Sequence, residues 1–419
     1  MNRSLIACMM LLGLICQAAP APAAETQEVF KRFQNRIVQI RILETSSGSR
    51  VALGSGFSVS RTGEIVTNFH VISELVHKPQ QYRAEIVYFD GHTEPLKLLN
   101  FDAVRDLAVV SGTAPSPFYF DLYAPPLQQG TRVFSIGIPL DLGFTIVEGT
   151  YNGLLENSQY EKIHFTGSIN HGMSGGPAIL DDGRVIGVNV ATSGNQVSFL
   201  VPAKFVITLL EQTHGEAGTV PLLEKLAAQL RENQKQFMEQ LLTRGMDTVN
   251  LGPYLLPGKI APYLKCWGDS DRNPDDLFTH LSHFCSSGDD LYISGSHHIR
   301  FLNFSHDYLT SQKLGKRRFY NLYQNYFADN DGHFHAGKED VTKFSCQSDF
   351  VEHADLTMRT VLCMRSYKKL PGLYDAVLKV ATLDNDRRGV LSTVELGGVS
   401  YENAVLFSRK YLEGISWKK

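Results

Sequence analysis

The stretch SINHGMSGGPAILDDGRVIGVNVAT, residues 168–192, decides how this chain is read. It sets one serine, Ser174, among Gly172, Gly175 and Gly176, and then runs into an alternating apolar segment. Glycine-rich turns between strands are common, so a plain hairpin is one reading. The other is a nucleophile held on a tight backbone turn. A serine hydroxyl is a poor nucleophile unless a histidine takes its proton and a carboxylate holds that histidine's tautomer. The rest of the chain must therefore supply both.

Two segments upstream do so. GEIVTNFHVI, residues 63–72, places His70 just after a strand-like run, and RDLAVVSG, residues 105–112, places Asp106 at the head of another. Singly, each has an ordinary structural explanation, as a core histidine or a turn aspartate. Together they give the order His70, Asp106, Ser174, which is the chymotrypsin order and not that of subtilisin or the α/β-hydrolases.

The surrounding pattern suits that order. From Val38 to about Val206 the sequence is a series of short Val-, Ile- and Phe-rich runs separated by Gly, Asp and Pro turns, which predicts a mainly β section. PLLEKLAAQLRENQKQFMEQLLTRGM, residues 221–246, instead has Leu223, Leu226, Leu230, Phe237 and Leu241 at helical spacing. Packing on a domain is the expected use of that stripe, and self-association of two copies through the 221–246 helix is the alternative. After Gly252 the composition becomes mixed and aromatic, and strand-like runs end in SYENAVLFSRKYLEG, a closing helix capped by Ser400. The predicted layout is a leader over 1–24, a β domain over 25–215, a helical linker over 216–247 and an α+β accessory domain over 248–419.

Bulk properties narrow the class. The 419 residues are 43% hydrophobic and 20% charged with net charge −3, which leaves no electrostatic footprint for nucleic acid. The N-terminus carries Arg3, an apolar run from Leu5 to Cys16 and an Ala21-Pro22-Ala23 end. That run is too short to span a bilayer and reads as a cleaved secretory signal, so a periplasmic or secreted location is expected, with no integral membrane segment afterwards. Beyond the leader's Cys8 and Cys16, four cysteines remain: Cys266, Cys285, Cys346 and Cys363. An even number in an exported protein predicts disulfides, and sequential pairing closes the shortest loops. No C-x-x-C spacing points to zinc. DNDRRGVLSTVE, residues 384–395, fits a calcium loop at Asp384, Asp386, Gly389 and Glu395, but Arg388 stands at a ligand position, so a hairpin turn is expected. DNDGHFHAGKED, residues 329–340, with His333 and His335, matches no metal spacing and reads as a surface loop.

The blocks GSGFSVSRTGEIVTNFHVI, RDLAVV, SIGIPLDLGFTIVEGTYNG and GSINHGMSGGPAILDDGRVIGVNVAT, with VSFLVPA after them, resemble successive blocks of the HtrA/Deg branch of trypsin-like serine proteases. The resemblance covers roughly residues 35–210. It implies a chymotrypsin fold of two six-stranded-type β-barrels with the site between them, acting on protein or peptide substrates without cofactor or metal. It also implies His70 as base, Asp106 as its orienter and Ser174 as nucleophile, with the N–H groups of Gly172 and Ser174 forming the oxyanion hole. The primary pocket would be set by Ser168, Ile169, Asn170 and His171, with no carboxylate to pair a substrate cation. An apolar pocket for small aliphatic residues is the expectation, and His171 holding a substrate glutamate is the alternative. Two features depart from the family. Met173 precedes the nucleophile where an aspartate or asparagine is usual, and no PDZ domain is recognisable after residue 210. An inactive or latent protease fold used for binding is the rival reading.

Overall fold

The computed structural model describes residues 22–418 other than 193, 195, 216–219, 272, 274, 329–331, 333, 384 and 385. The leader's apolar run, His333 and Asp384 thus lie outside the described residues.

The first half opens with helix α1 (Pro22–Phe33). It continues through β1 (Ile37–Glu44), β2 (Arg50–Ser58), β3 (Glu64–Thr67), α2 (Phe69–His77), β4 (Tyr82–Tyr88), β5 (Thr93–Pro95), β6 (Lys97–Asp102) and β7 (Leu107–Ser111). These strands form one seven-stranded sheet in the order β5-β4-β1-β2-β3-β7-β6. Next come β8 (Arg132–Gly137), β9 (Thr145–Leu154), β10 (Ile163–Phe165), β11 (Pro177–Ile179), β12 (Val185–Thr192) and β13 (Ser198–Pro202), which close a barrel in the order β10-β13-β12-β11-β8-β9. The expected pair of six-stranded barrels is therefore met in the second unit only. The first gains a seventh strand because the turn at Gly91 (φ +85°) folds the short β5 back along β4, and its edge strands β5 and β6 are not hydrogen-bonded to each other.

β1 shows why the sequence settles here. Val38, Ile40 and Ile42 alternate onto one face and join one apolar cluster, while Ile37 faces another cluster that lies against the second barrel. That second cluster, with Phe57, Val66, Phe134, Ile136 and Val188, is flanked by Val29 and Phe33 of α1 and by Val206 and Leu209 of α3 (Ala203–Gly215). The interior of the closed barrel is separate and holds Phe165, Ile169, Met173 and Leu200.

Helix α4 (Leu222–Thr243) follows within a residue or two of its predicted start and stop. Its stripe of Leu226, Leu230, Phe237, Met238 and Leu241 is buried, in the same cluster as Val38 and Ile40 of the first sheet and Phe301, Leu396 and Phe407 of the C-terminal half. The stripe is thus spent inside the chain. Burying each such side chain contributes about 1.5–3 kcal/mol. Polar groups fix the register of the helix. Asn233 Nδ2 donates to Tyr160 Oη at 2.9 Å, and Gln234 Oε1 accepts from Ser400 N at 3.1 Å.

The C-terminal half comprises β14 (Thr248–Leu251), β15 (Tyr254–Pro257), β16 (Lys265–Asp271), β17 (Thr279–Ser286), β18 (Asp290–Ser294), β19 (His297–Arg300) and β20 (Leu302–Thr310). Then follow α5 (Lys316–Ala328), β21 (His335–Ala336), β22 (Ser345–His353), β23 (Leu356–Ser366), β24 (Tyr374–Thr382), β25 (Arg388–Val399), α6 (Tyr401–Glu413) and β26 (Ser416–Trp417). Its main sheet is antiparallel in the order β16-β17-β20-β25-β24-β23-β22, and β18-β19-β21 and β14-β15-β26 form two small sheets. Ser400 caps α6 as expected, accepting from Asn403 N at 3.2 Å. Of the stretch 384–395, Arg388 to Glu395 lie in β25, where Glu395 pairs with Val377 of β24. His335 belongs to β21 paired with β19, where a loop was expected, because the edge of β19 accepts a third strand. Both disulfides pair sequentially: Cys266 faces Cys285 across β16–β17 with Cα atoms 4.1 Å apart, and Cys346 faces Cys363 across β22–β23 at 3.9 Å.

Because α4 is the common packing partner of both halves, Phe237→Ala is expected to cost about 3–5 kcal/mol of stability. Urea unfolding followed by far- and near-UV circular dichroism checks this. A large drop in midpoint with coincident transitions is the expected outcome, and a midpoint shift under 1 kcal/mol (about a fivefold change in equilibrium) contradicts it.

Candidate active site

Strands β3 and β7 run antiparallel with Thr67 opposite Ala108, so the residues just past the end of β3 meet those just before β7. That register brings His70, in the first turn of α2, against Asp106. Asp106 Oδ2 lies 2.6 Å from His70 Nδ1, and Oδ1 accepts from the backbone N–H of His70 at 2.8 Å. Asn68, at the start of α2, donates its side-chain N–H to Asp106 O at 2.7 Å. Asp106 is held at φ +56°, a left-handed conformation rare outside glycine, and these three bonds are what hold it there. With Nδ1 facing a carboxylate, the proton of the neutral ring sits on Nδ1 and Nε2 is the free base. Burial alone pulls the His70 pKa down. The Asp106 charge and hydrogen bond more than offset this, so the ring titrates above its ordinary value near 6.5.

Ser174 comes from the second barrel, on the turn before β11. Its Oγ donates to Val190 O at 3.5 Å, and no hydrogen bond joins it to His70 among the described contacts. Nucleophile–base pairs are often loose before substrate binds. The turn itself is tightly determined. The carbonyl of His171 accepts from Leu140 N at 2.8 Å, and in a trans peptide this turns the Gly172 N–H to the opposite side. Gly172 adopts φ +95°, and a Cβ there would lie 2.4 Å from Ile138 O, so only glycine fits. Among the described contacts the N–H groups of Gly172 and Ser174 donate to no protein group.

Ser55 on β2 is a residue that sequence reasoning passed over. Its Oγ donates to Gly172 O at 2.6 Å and accepts from Ile138 N at 3.0 Å, and its N–H donates to Ser174 O at 2.8 Å. Thr67 Oγ1 secures the remaining carbonyl of Ser55 at 2.7 Å. The signal was present as Gly54-Ser55-Gly56, small residues on a strand that a foreign loop approaches closely. Met173, which cannot form an ion pair, is fully buried in the barrel interior beside Ile169 and Phe165. The loop is therefore anchored by an apolar side chain below and a serine above.

The segment expected to set specificity divides. Ser168, Asn170 and His171 are exposed, while Ile169 is buried among the barrel's core side chains. Among the described residues, the one grouping of metal-type donors is Cys266, His283 and Cys285, and its sulfurs are tied in a disulfide.

A cleft of about 590 Å³ opens beside the dyad, bordered by His70, Asp106 and Val190. Its opposite wall comes from α4 and from the β18–β19 hairpin of the C-terminal half. The Tyr292 ring of β18 stands edge-on to His70 with centroids 5.6 Å apart, and the His298 ring of β19 lies tilted against it at 4.7 Å.

Residues 54–188 match the family described as trypsin-like peptidase domain. Over 253 residues the chain is 28% identical to serine protease HTRA1B of Danio rerio, covering 54% of this chain and 52% of that one. It is 30% identical over 178 residues to serine protease HTRA1 of Xenopus tropicalis, covering 40% and 37% of the two chains. It is also 31% identical over 204 residues to a probable periplasmic serine endoprotease DegP-like of a Marinomonas species, covering 45% and 41%. The chain thus spans about half the length of these relatives or less.

Removing the Ser55 hydroxyl leaves the buried Ile138 N–H and the Gly172 carbonyl without their partner. Ser55→Ala is expected to lower stability by about 1–3 kcal/mol, read from the urea midpoint. An unchanged midpoint contradicts the anchoring role.

Proposed function

We propose that this chain, which carries a trypsin-like peptidase domain of the HtrA/Deg kind, is an exported serine endopeptidase working through His70, Asp106 and Ser174. The observation that supports this most is the His70–Asp106 couple, with both carboxylate oxygens on one histidine, beside a glycine turn in which Gly175 packs on Thr67 and Asn68 and two N–H groups have no partner among the described contacts. In this reading His70 Nε2 takes the Ser174 proton as Oγ attacks the scissile carbonyl. The Gly172 and Ser174 N–H groups receive the oxyanion, each such donor stabilising the transition state by about 3 kcal/mol. His70 then protonates the leaving amine, and water repeats the sequence on the acyl-enzyme.

Export is supported by the leader-like N-terminus and by two disulfides, which persist in oxidising compartments. The DegP-like relative is named periplasmic. For specificity, residues 168–171 carry no carboxylate, so a substrate Arg or Lys would be buried unpaired. Small aliphatic residues before the scissile bond are the preferred substrates, by the family resemblance. A substrate glutamate held by the exposed His171 is the competing choice.

A second reading is favoured by one specific feature. Ser174 Oγ is bonded to Val190 O and not to His70, while Tyr292 from another part of the chain rests on the histidine. A latent protease, or a protease fold used for binding, fits that resting geometry.

Fluorophosphonate labelling separates the readings, because only an activated serine reacts. Wild-type protein is expected to label at Ser174, and Ser174→Ala to lose both labelling and peptide hydrolysis, the latter by about a million-fold. Hydrolysis by the alanine variant at the parental rate would refute the nucleophile assignment. Catalysis needs neutral His70, and the Asp106-raised pKa means that protonation begins at higher pH than for a free imidazole. The acid limb of kcat/KM is accordingly expected above pH 6.5. Asp106→Asn removes the raising charge and the tautomer restraint, so kcat should fall by about ten-thousand-fold with the limb displaced downward.

A further inference from the structure

We infer that the cleft beside the dyad is a substrate subsite completed by the C-terminal half, and that it takes a large neutral side chain able to hydrogen-bond, such as glutamine or asparagine. The inference rests on the peptidase reading and concerns a substrate position other than the one bound beside Ser168–His171. Three separate parts of the chain build the cleft. The catalytic domain gives His70, Asp106, Gln159 and Tyr160; α4 gives Asn233, Gln236, Phe237 and Gln240; and Tyr263 and Tyr292 come from the C-terminal half. At about 590 Å³ it exceeds the needs of one water cluster and suits a side chain with part of its backbone.

Its chemistry follows from which groups are already satisfied. The charged side chains on the wall have opposite charges in contact. Arg105 pairs with Asp102 at 2.8 Å, Lys162 with Asp289 at 2.6 Å, Glu161 with Lys204 at 2.5 Å and Asp290 with Arg300 at 2.6 Å. A charged substrate group would have to break one of these pairs. Two neutral groups are left over. Tyr263 Oη and Gln159 Oε1 are both buried with no partner among the described residues, although such atoms are nearly always bonded. Turning the Gln159 amide over only exchanges which end is unpartnered, because its other end already meets Tyr160 Oη at 3.1 Å. A primary amide offers both a donor and an acceptor, so it can satisfy a phenol and an amide together. The Phe237 and Tyr263 rings, with centroids 5.8 Å apart, pack together as an apolar wall of the cleft.

The interdomain contact gives the subsite a fixed relation to the reacting atoms. Tyr292 lies against His70 on one side and lines the cleft on the other, which ties the subsite to the histidine.

The test uses the full chain as a Ser174→Ala trap, so that binding is read without turnover. Fluorescent peptides carrying Gln, Asn, Leu, Glu or Lys in turn at each position around one fixed cleavage sequence are titrated by anisotropy. At one position other than that preceding the scissile bond, Gln or Asn is expected to bind about three- to tenfold tighter than Leu, with Glu and Lys weaker than Leu. Tyr263→Phe in the same background, which keeps the ring and removes only the hydroxyl, is expected to erase most of that preference, and Gln159→Leu to reduce it. Equal binding of Gln and Leu at every such position, a preference for Glu or Lys, or an amide preference that survives Tyr263→Phe each overturns the proposal. Labelling of wild-type protein by a fluorophosphonate reports separately on the peptidase reading. An unlabelled protein whose trap still shows the Tyr263-dependent preference would overturn the activity and leave the subsite standing.

Discussion

One apolar cluster runs from Val38 and Ile40 of the first sheet, through Leu230 and Phe237 of α4, to Phe301 and Phe407 of the C-terminal half. The relative placement of the two halves depends on it. Because the one buried stripe of α4 packs with side chains of both halves, neither can rotate without uncovering side chains worth several kcal/mol together. The contact of Tyr292 with His70 and the wall of the cleft are downstream of that burial. Polar groups then fix register where apolar packing is indifferent to it. Gln234 reaches the N-terminus of α6, and Lys410 of α6 donates to the carbonyls of Leu241 and Leu242 at the end of α4.

The candidate site is built on a different economy, with little charge and many backbone bonds. A single serine on β2 holds the turn around Ser174, using its hydroxyl, its N–H and its carbonyl, while a buried methionine fills the space beneath. Among the described residues no ion pair takes part in holding this turn. The strained conformation of Asp106 shows the same logic. Its left-handed backbone costs on the order of 1–3 kcal/mol, and the bonds from Asn68 and His70 outweigh that cost.

The elements that alternate strongly were legible in the sequence, among them β1, β7, β8 and β12, and so was the 3.6-residue stripe of α4. Cysteine parity and loop length were enough for the disulfide pairing. His70, Asp106 and Ser174 were legible as candidates because each sits at a recognisable strand end. What escaped the reading was whatever depends on tertiary approach. β5 is three residues long and exists only because a turn lays it on β4. β22 is mostly polar and exposed, and it is a strand because β23 lies beside it. Ser55, Val190 and Tyr292 meet the site only after folding, and Ile169 proved to be a core residue because the barrel closes around it. The helical stripe predicted burial correctly and was silent about the partner.

The two disulfides occupy corresponding places in the C-terminal sheet, β16–β17 at one margin and β22–β23 at the other. An open sheet is most vulnerable at its margins, where an outermost strand has one neighbour and unpaired backbone groups on its far side. Most of β22 is exposed, including Phe350, so little side-chain burial opposes its peeling away. A covalent rivet to the adjacent strand removes that freedom without enlarging the core. Such rivets, which persist wherever the surroundings are oxidising, keep both margins from trading strands with another copy.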